Sequence, residues 1–312
     1  MKIVVTGALG HIGSFVVRDL ANEFPNSDII MIDNLMTQRY ASLFNLPSSG
    51  RYRFLQADVR DADMRVVLKD AEVVIHLAAV TDAAGTFDKS ELVESNNYQA
   101  TLKVAEACVN TGARLIALSS TSVYGTQKAV VSEGCSPEEL RPQSPYATTK
   151  LKEEGLMKRL CSTKGLRAVS CRFGTIFGVS PGMRFHTAVN KFCWEAVMKQ
   201  PISVWRTAYD QKRPYLDLAD ASRAISFIIR EDLFDGRIYN VLTLNATVRQ
   251  IVDTIKEFVP DLKVSFVDSP IMNQLSYEVS TTRFTGMGFK FAGDLRQGIR
   301  DTIALLRHAN AV

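Results

Sequence analysis

Tyr146 and Lys150 stand at i and i+4 of a helical stretch, so a phenol and an ammonium project from one face about a turn apart. A free phenol ionises at about pH 10, and a cation held beside it stabilises the phenolate. This spacing could therefore build a general base for work near neutral pH. The pattern by itself is common, and a helix-start aromatic followed by a solvated charge explains it equally well. A second source of chemistry is the hydroxyl-rich run Ser119-Ser120-Thr121-Ser122, which leaves the end of a predicted strand. Open parallel sheets bind ligands at that end, and a hydroxyl there could hold a substrate oxygen. Hydroxyls satisfying turn backbone account for some of these positions.

A third feature is the turn Gly7-Ala8-Leu9-Gly10-His11-Ile12-Gly13, which follows a predicted strand and opens a predicted helix. Glycines at spacing three and three let the backbone approach a pyrophosphate, whose charge meets the free N–H groups of the helix start. Asp33 ends the next predicted strand, 20 residues after Gly13. A carboxylate there can accept both ribose hydroxyls of an adenosine and would repel a 2′-phosphate, which favours NAD over NADP. Arg39 nearby leaves NADP open.

Positioning these groups requires alternating strands and helices. Strands are predicted at residues 2–6, 28–33, 52–57, 73–77, 114–119, 168–173 and 237–242. Helices are predicted at 12–23, 92–111, 146–163, 247–258 and 295–308, with Val16, Val17 and Leu20 or Leu102, Ala105 and Val109 sharing a face. The reading is an α/β, Rossmann-type doubly wound parallel sheet with a smaller C-terminal substrate-binding region. Residues 1–173, joined by a returning segment at about 214–243, form the dinucleotide-binding part. Residues 174–213 and 244–312 form the substrate-binding part.

Composition narrows the function classes. A 312-residue chain with 46% hydrophobic and 22% charged residues is an ordinary globular one, with no apolar stretch near the roughly 18 residues of a membrane span. Thirty-seven basic against 33 acidic residues give +4 without a basic block, which argues against nucleic acid as a partner. Five cysteines without a CxxC pair read as reduced thiols in the cytoplasm. The start Met1-Lys2-Ile3-Val4-Val5 reads as a strand rather than a signal peptide.

Taken together, the chain resembles the extended short-chain dehydrogenase/reductase family, particularly its nucleotide-sugar epimerases and dehydratases. The matching pieces are TGAxGxIG at Thr6–Gly13, Asp33, Asp58-Val59-Arg60-Asp61, His76-Leu77-Ala78-Ala79, Asn97 before Thr101, the SSTSVYG run from Ser119, YxxxK at Tyr146, and Arg213-Pro214-Tyr215. The resemblance implies a catalytic triad of Ser120, Tyr146 and Lys150. It implies that NAD is held by Gly7, Gly10, His11, Ile12, Gly13, Asp33, Asn34, Asp58, Val59, Leu77, Ala78, Ala79, Asn97, Phe173, Tyr146 and Lys150. Asp58 and Val59 would meet the adenine, and Leu77 to Ala79 would line the cofactor channel.

For a nucleotide-diphosphate sugar the same resemblance implies Thr81, Ser120, Thr121, Thr175, Arg184, Asn190 and Arg213. The Arg213 guanidinium would suit bidentate contact with the diphosphate, a chance surface charge being the alternative. The chain departs from the family at Thr175, where an asparagine is frequent, and at Pro214-Tyr215-Leu216-Asp217. It also has Thr121-Ser122 where dehydratase relatives carry Asp-Glu, so elimination of water would lack its proton-transfer carboxylates. The implied reaction is 4-epimerisation through a transient 4-keto sugar, ahead of net oxidoreduction and of 4,6-dehydration. An NAD-binding scaffold without catalysis is opposed by the intact triad. His11, His76, His186 and His308 show no ligand spacing, and no metal is expected. A homodimer through the helices at 92–111 and 146–163 is expected, with Ala105, Val109, Leu156 and Leu160 either meeting a partner or buried in the monomer.

Overall fold

The structure is a computed structural model that describes residues 1–81, 90–125, 129–268 and 276–309. Seven parallel strands form its central sheet, in the spatial order Ile238–Val241, Ala168–Phe173, Arg114–Ser120, Val73–His76, Lys2–Thr6, Asp28–Asp33, Arg51–Gln56. The chain starts inside the sheet, runs to one edge, and returns to the other side between Lys2–Thr6 and Val73–His76. That reversal creates a crevice at the strand ends, the place where such sheets take ligands.

Alternation along each strand supplies both faces of the sheet with core residues. Ile3 and Val5 face one side with Val16, Val17 and Leu20 of helix His11–Glu23 and Ile225 and Ile228 of helix Leu218–Arg230. Val4 faces the other side with Val104 and Cys108 of helix Ser90–Thr111 and Leu156 and Leu160 of helix Pro145–Lys164. The expected elements fall within a few residues of their predicted bounds. Helix Leu218–Arg230 was not among them, although its buried stripe Leu218, Ala221, Ile225, Ile228 has helical period and Asp217 caps it by accepting from Ala219 N and Asp220 N.

Beyond the sheet, Thr175–Phe177, Lys212–Asp217 and Leu244–Thr247 form a small sheet of their own. Helices Ala188–Val197, Val248–Phe258 and Leu295–Leu306 share a core built from Val189, Phe192, Ile251, Ile255, Ile299 and Ile303. A short bridge, Glu278–Val279 on Val130–Val131, carries the late chain back to the loop that follows Ser120.

Ala105, Leu156 and Leu160 are buried within this one chain, which takes them out of consideration as partner contacts. Among the described residues no helix is long and apolar enough to cross a membrane. All five cysteines are free thiols, and burial pushes Cys171 and Cys193 up to about 12.

Candidate active site

The glycine turn is closed by sterics from within the chain. Gly7 has φ +65°, and a Cβ on it would lie 2.7 Å from Ala78 N, while one on Gly13 would lie 2.4 Å from Gly7 O. At Gly10, by contrast, a Cβ would meet only Gly7 O at 3.2 Å and Arg39 Nη1 at 3.9 Å. Helix His11–Glu23 starts at Gly10 with no side-chain cap and no acidic residue in its first turn. Its leading N–H groups and positive dipole end are therefore left without a side-chain acceptor, the arrangement that takes an anion. Asp33 braces the turn: Oδ2 accepts from Leu9 N at 3.1 Å and Oδ1 from Leu35 N at 2.9 Å, and each oxygen keeps a lone pair for a further donor. This donor and acceptor set fits a dinucleotide, with the diphosphate at Gly7–Gly13 and a ribose at Asp33.

Further along the crevice, Asn34 Nδ2 donates to Asp58 Oδ2 at 3.0 Å, and Arg60 takes both Asp58 oxygens. Those contacts hold the Asp58 carboxyl well below the usual carboxylate range, Arg60 being the main cause. Val59 is buried beside it. Leu77 and Ala78 lie directly against Gly7. Asn97 is buried and clamps the Val80 peptide, accepting from Val80 N at 2.7 Å and donating to Val80 O at 2.9 Å. Its side chain shapes the 77–80 wall. His76 sits below, between Thr6 Oγ1 at 2.7 Å and Thr101 Oγ1 at 3.2 Å.

The catalytic candidates come from two elements packed on one another. Strand Arg114–Ser120 ends in a tight turn at Thr121–Val123 that packs on helix Pro145–Lys164. In that turn Ser120 Oγ accepts from Ser122 N at 3.2 Å and from Ser122 Oγ at 2.9 Å. Thr121 is turned away: its buried hydroxyl donates to Phe173 O at 3.2 Å, so Ser122 is the hydroxyl beside Ser120. Phe173 is itself buried at the end of its strand.

The helix is started by Ser144, whose Oγ accepts from Ala147 N, followed by Pro145 at its first position. That fixes part-exposed Tyr146 in the first turn and buries Lys150 one turn later, with its Nζ 5.7 Å from the Tyr146 ring centre. Lys150 donates to Glu153 Oε2 at 2.9 Å. Burial works to lower the Lys150 pKa, yet Glu153 and Tyr146 outweigh it and the net direction is upward.

Behind the site, buried Arg172 makes a two-pronged contact with Glu154 at 2.8 and 2.7 Å and donates to Tyr124 Oη at 2.8 Å. Ser119 Oγ donates to the same carboxylate, and Tyr124 Oη to Asn240. Sequence reasoning missed Glu153 and Glu154, although their spacing from Lys150, three and four residues on, places them on its helical face.

The loop after strand Thr175–Phe177 is latched to the glycine turn. His11 Nδ1 lies 2.8 Å from Ser180 Oγ, Asn190 Nδ2 lies 3.4 Å from His11 Nε2, and Gly182 N donates to Ser14 Oγ at 2.9 Å. Since Nε2 accepts from the amide, Nδ1–H is the donor to Ser180. The His11 ring and the Asn190 carboxamide, which also bonds Gly178 and Arg184 O, are thus internal braces. Arg184 reaches Thr81 Oγ1, which brings two expected substrate residues together. Arg213 stacks 5.4 Å from the Tyr277 ring centre, and Tyr277 Oη donates to Thr121 O at 3.2 Å. Thr175, part-exposed, pairs with Tyr215 in the small sheet. Among the described residues no cluster of metal-ligating side chains occurs.

Both buried histidines are held neutral. Burial, followed by Arg184 and Arg39, lowers His11 to about 3, and burial, followed by Lys150, lowers His76 to about 3. The unfolded chain protonates both near pH ~6.5 and so binds more protons than the folded one between there and pH 3. Stability is accordingly complete above that range and falls with acidification, by up to about 1.4 kcal/mol per pH unit for each ring. Melting curves from pH 7 to 5 are expected to show this fall, with a shallower slope in His11→Gln; equal slopes would contradict it.

Comparison with known proteins agrees with this geometry. The profile of the NAD dependent epimerase/dehydratase family matches residues 3–241. A UDP-glucose 4-epimerase of Streptomyces lividans is 27% identical, the match covering 82% of this chain and 80% of that protein. A trifunctional UDP-glucose 4,6-dehydratase/UDP-4-keto-6-deoxy-D-glucose 3,5-epimerase/UDP-4-keto-L-rhamnose-reductase of Arabidopsis thaliana is 25% identical over 97% of this chain, which spans about half, 46%, of that protein's length. The solved structure of MoeE5 in complex with UDP-glucose and NAD superposes with a TM-score of 0.84 at 26% identity, covering 99% of each chain.

Proposed function

This chain belongs to the NAD dependent epimerase/dehydratase family, and from that premise we propose that it is a nucleotide-sugar 4-epimerase with a uridine diphosphate sugar as its first candidate substrate. The observation that carries the reading is the set formed by Ser120, Tyr146 and buried Lys150 at the open end of the sheet. Tyr146, held as its phenolate by the Lys150 ammonium, takes the proton of the sugar 4-hydroxyl and becomes the neutral phenol. Ser120, its own oxygen already served by Ser122, donates to the sugar oxygen and steadies it as it becomes a carbonyl. When bound, NAD supplies a hydride acceptor and donor at the same carbon. Tyr146 returns the proton once the keto sugar has turned its other face, so net redox is zero.

Support for epimerisation over dehydration comes from the turn after Ser120. Thr121 donates to Phe173 O and Ser122 to Ser120, so neither position offers a carboxylate to remove and deliver protons at C5 and C6. Names of the relatives support the uridine diphosphate class. Arg184 and Arg213 are the cations we assign to the diphosphate. The family's NAD dependence agrees with the fit of the Gly7–Gly13 turn and Asp33. We read the assembly as a homodimer across the outer faces of helices Ser90–Thr111 and Pro145–Lys164, and its compartment as the cytoplasm; light scattering checks the first.

The test is incubation of the purified protein with a panel of uridine and thymidine diphosphate sugars without added cofactor. The expected result is formation of the C4 isomer with no net absorbance change at 340 nm. Stoichiometric NADH release would replace the reading with a dehydrogenase, and a 4-keto-6-deoxy product with a dehydratase.

A further inference from the structure

Two carboxylates stand side by side on helix Pro145–Lys164, and the fold divides them between two buried cations. Glu154 is taken by Arg172 and Ser119. Glu153 is left to Lys150, at 2.9 Å, with side-chain exposures of only 6% and 5%. The other Glu153 oxygen, Oε1, is buried beside the Thr101 hydroxyl, which already engages His76 Nε2.

The groups facing this pair come from every packed element. On its own helix they are Tyr146 and Glu154, and helix Ser90–Thr111 contributes Thr101. Strand Val73–His76 contributes His76, held neutral, strand Arg114–Ser120 contributes Ser119, and strand Ala168–Phe173 contributes Arg172, matched by Glu154. With Arg172 matched and His76 uncharged, Glu153 is the carboxylate bonded to the Lys150 ammonium, ahead of the more distant influence of Glu154; burial pushes the Glu153 pKa up, and Lys150 opposes that. An ammonium stabilises a phenolate in proportion to the charge it presents, and a carboxylate on its Nζ subtracts from that.

We propose that Glu153 is a positioning residue of this site: by holding Lys150 at Nζ it fixes where the ammonium sits and how much of its charge reaches the Tyr146 oxygen. The proposal rests on Tyr146 as the base. Lys150 keeps two further N–H donors, so the hold on Glu153 leaves it able to meet a cofactor ribose.

The experiment is an ultraviolet difference titration of tyrosinate with saturating NAD and no sugar, the Tyr146→Phe protein being subtracted so that the Tyr146 phenolate is read alone. In Glu153→Gln its midpoint is expected about one pH unit below wild type, since an opposing charge is removed from the ammonium. The acidic limb of kcat/KM on the identified substrate moves the same way. Glu153→Asp, which keeps the charge on a shorter arm, falls between the two. A midpoint in folded Glu153→Gln equal to or above wild type overturns the proposal. If that variant does not fold, Glu153→Asp decides, and an unmoved midpoint overturns it. The titration needs no sugar and so fails separately from the functional reading, which falls if Tyr146→Phe retains turnover.

Discussion

Tyr146→Phe is expected to lower kcat on the true nucleotide sugar by about a thousandfold, within the span of effects for loss of a positioned general base, while leaving the protein folded. At 25 °C that corresponds to about 4 kcal/mol of barrier. The two halves of the expectation have separate causes. Folding needs little from the phenol: the helix start is fixed by Ser144 and Pro145, and among the described residues no hydrogen bond takes up the Tyr146 hydroxyl. Chemistry needs it entirely, because the other hydroxyl of the set, Ser120, has no base to receive its proton and accepts hydrogen bonds from Ser122. The melting temperature and the affinity for NAD should stay near wild type, and KM should change less than kcat. A melting temperature that fell along with activity would make Tyr146 a structural residue, and retained turnover would place the base elsewhere.

Which parts of this site were legible in the sequence follows from what each part depends on. The glycine turn was readable because its requirement is local: Gly7 needs φ +65°, and Gly7 and Gly13 need close backbone approach, both written into residue type. Tyr146 and Lys150 were readable because helical period alone puts them on one face. The parallel sheet was readable from apolar strands alternating with helical patterns. The role of His11 was not, since its partners Ser180 and Asn190 lie 169 and 179 residues away. Nothing local distinguishes a histidine beside a dinucleotide from one that ties two parts of the fold together.

Thr121 and Ser122 show the same limit at closer range. Both are hydroxyls in one run, and only the tight turn at Thr121–Val123 decides that Thr121 points to Phe173 O and Ser122 to Ser120. Asn97 was assigned to the cofactor by resemblance, while the structure shows its amide gripping Val80 on both sides. Tyr277, which joins Arg213 to the turn after Ser120, carries no motif at all. The partition of Glu153 and Glu154 depended on which cation lay across the sheet, a fact of packing rather than of spacing.

That partition sets the largest stability effect expected of a single substitution. Arg172→Met is expected to destabilise the protein by about 3–5 kcal/mol, the range for breaking a buried ion pair from one side. Arg172 and Glu154 have 2% and 4% of their side chains exposed, so the Glu154 carboxylate would be left buried with the Ser119 hydroxyl as its donor and no cation beside it. Replacing both, as Arg172→Met with Glu154→Leu, should recover most of the loss, because burying two apolar groups of similar volume avoids the desolvation that the pair must overcome. Urea unfolding of the three proteins checks the order: wild type and double variant close, single variant far below. Recovered stability should not bring recovered activity. Ser119 and Tyr124, both bonded to the pair, flank the Ser120 turn, and without the charged anchor their hydroxyls lose the partners that hold it against helix Pro145–Lys164. A double variant both as stable and as active as wild type would show that the pair serves packing alone, and that the Ser120 turn is held by its contacts with Phe173 and Tyr277.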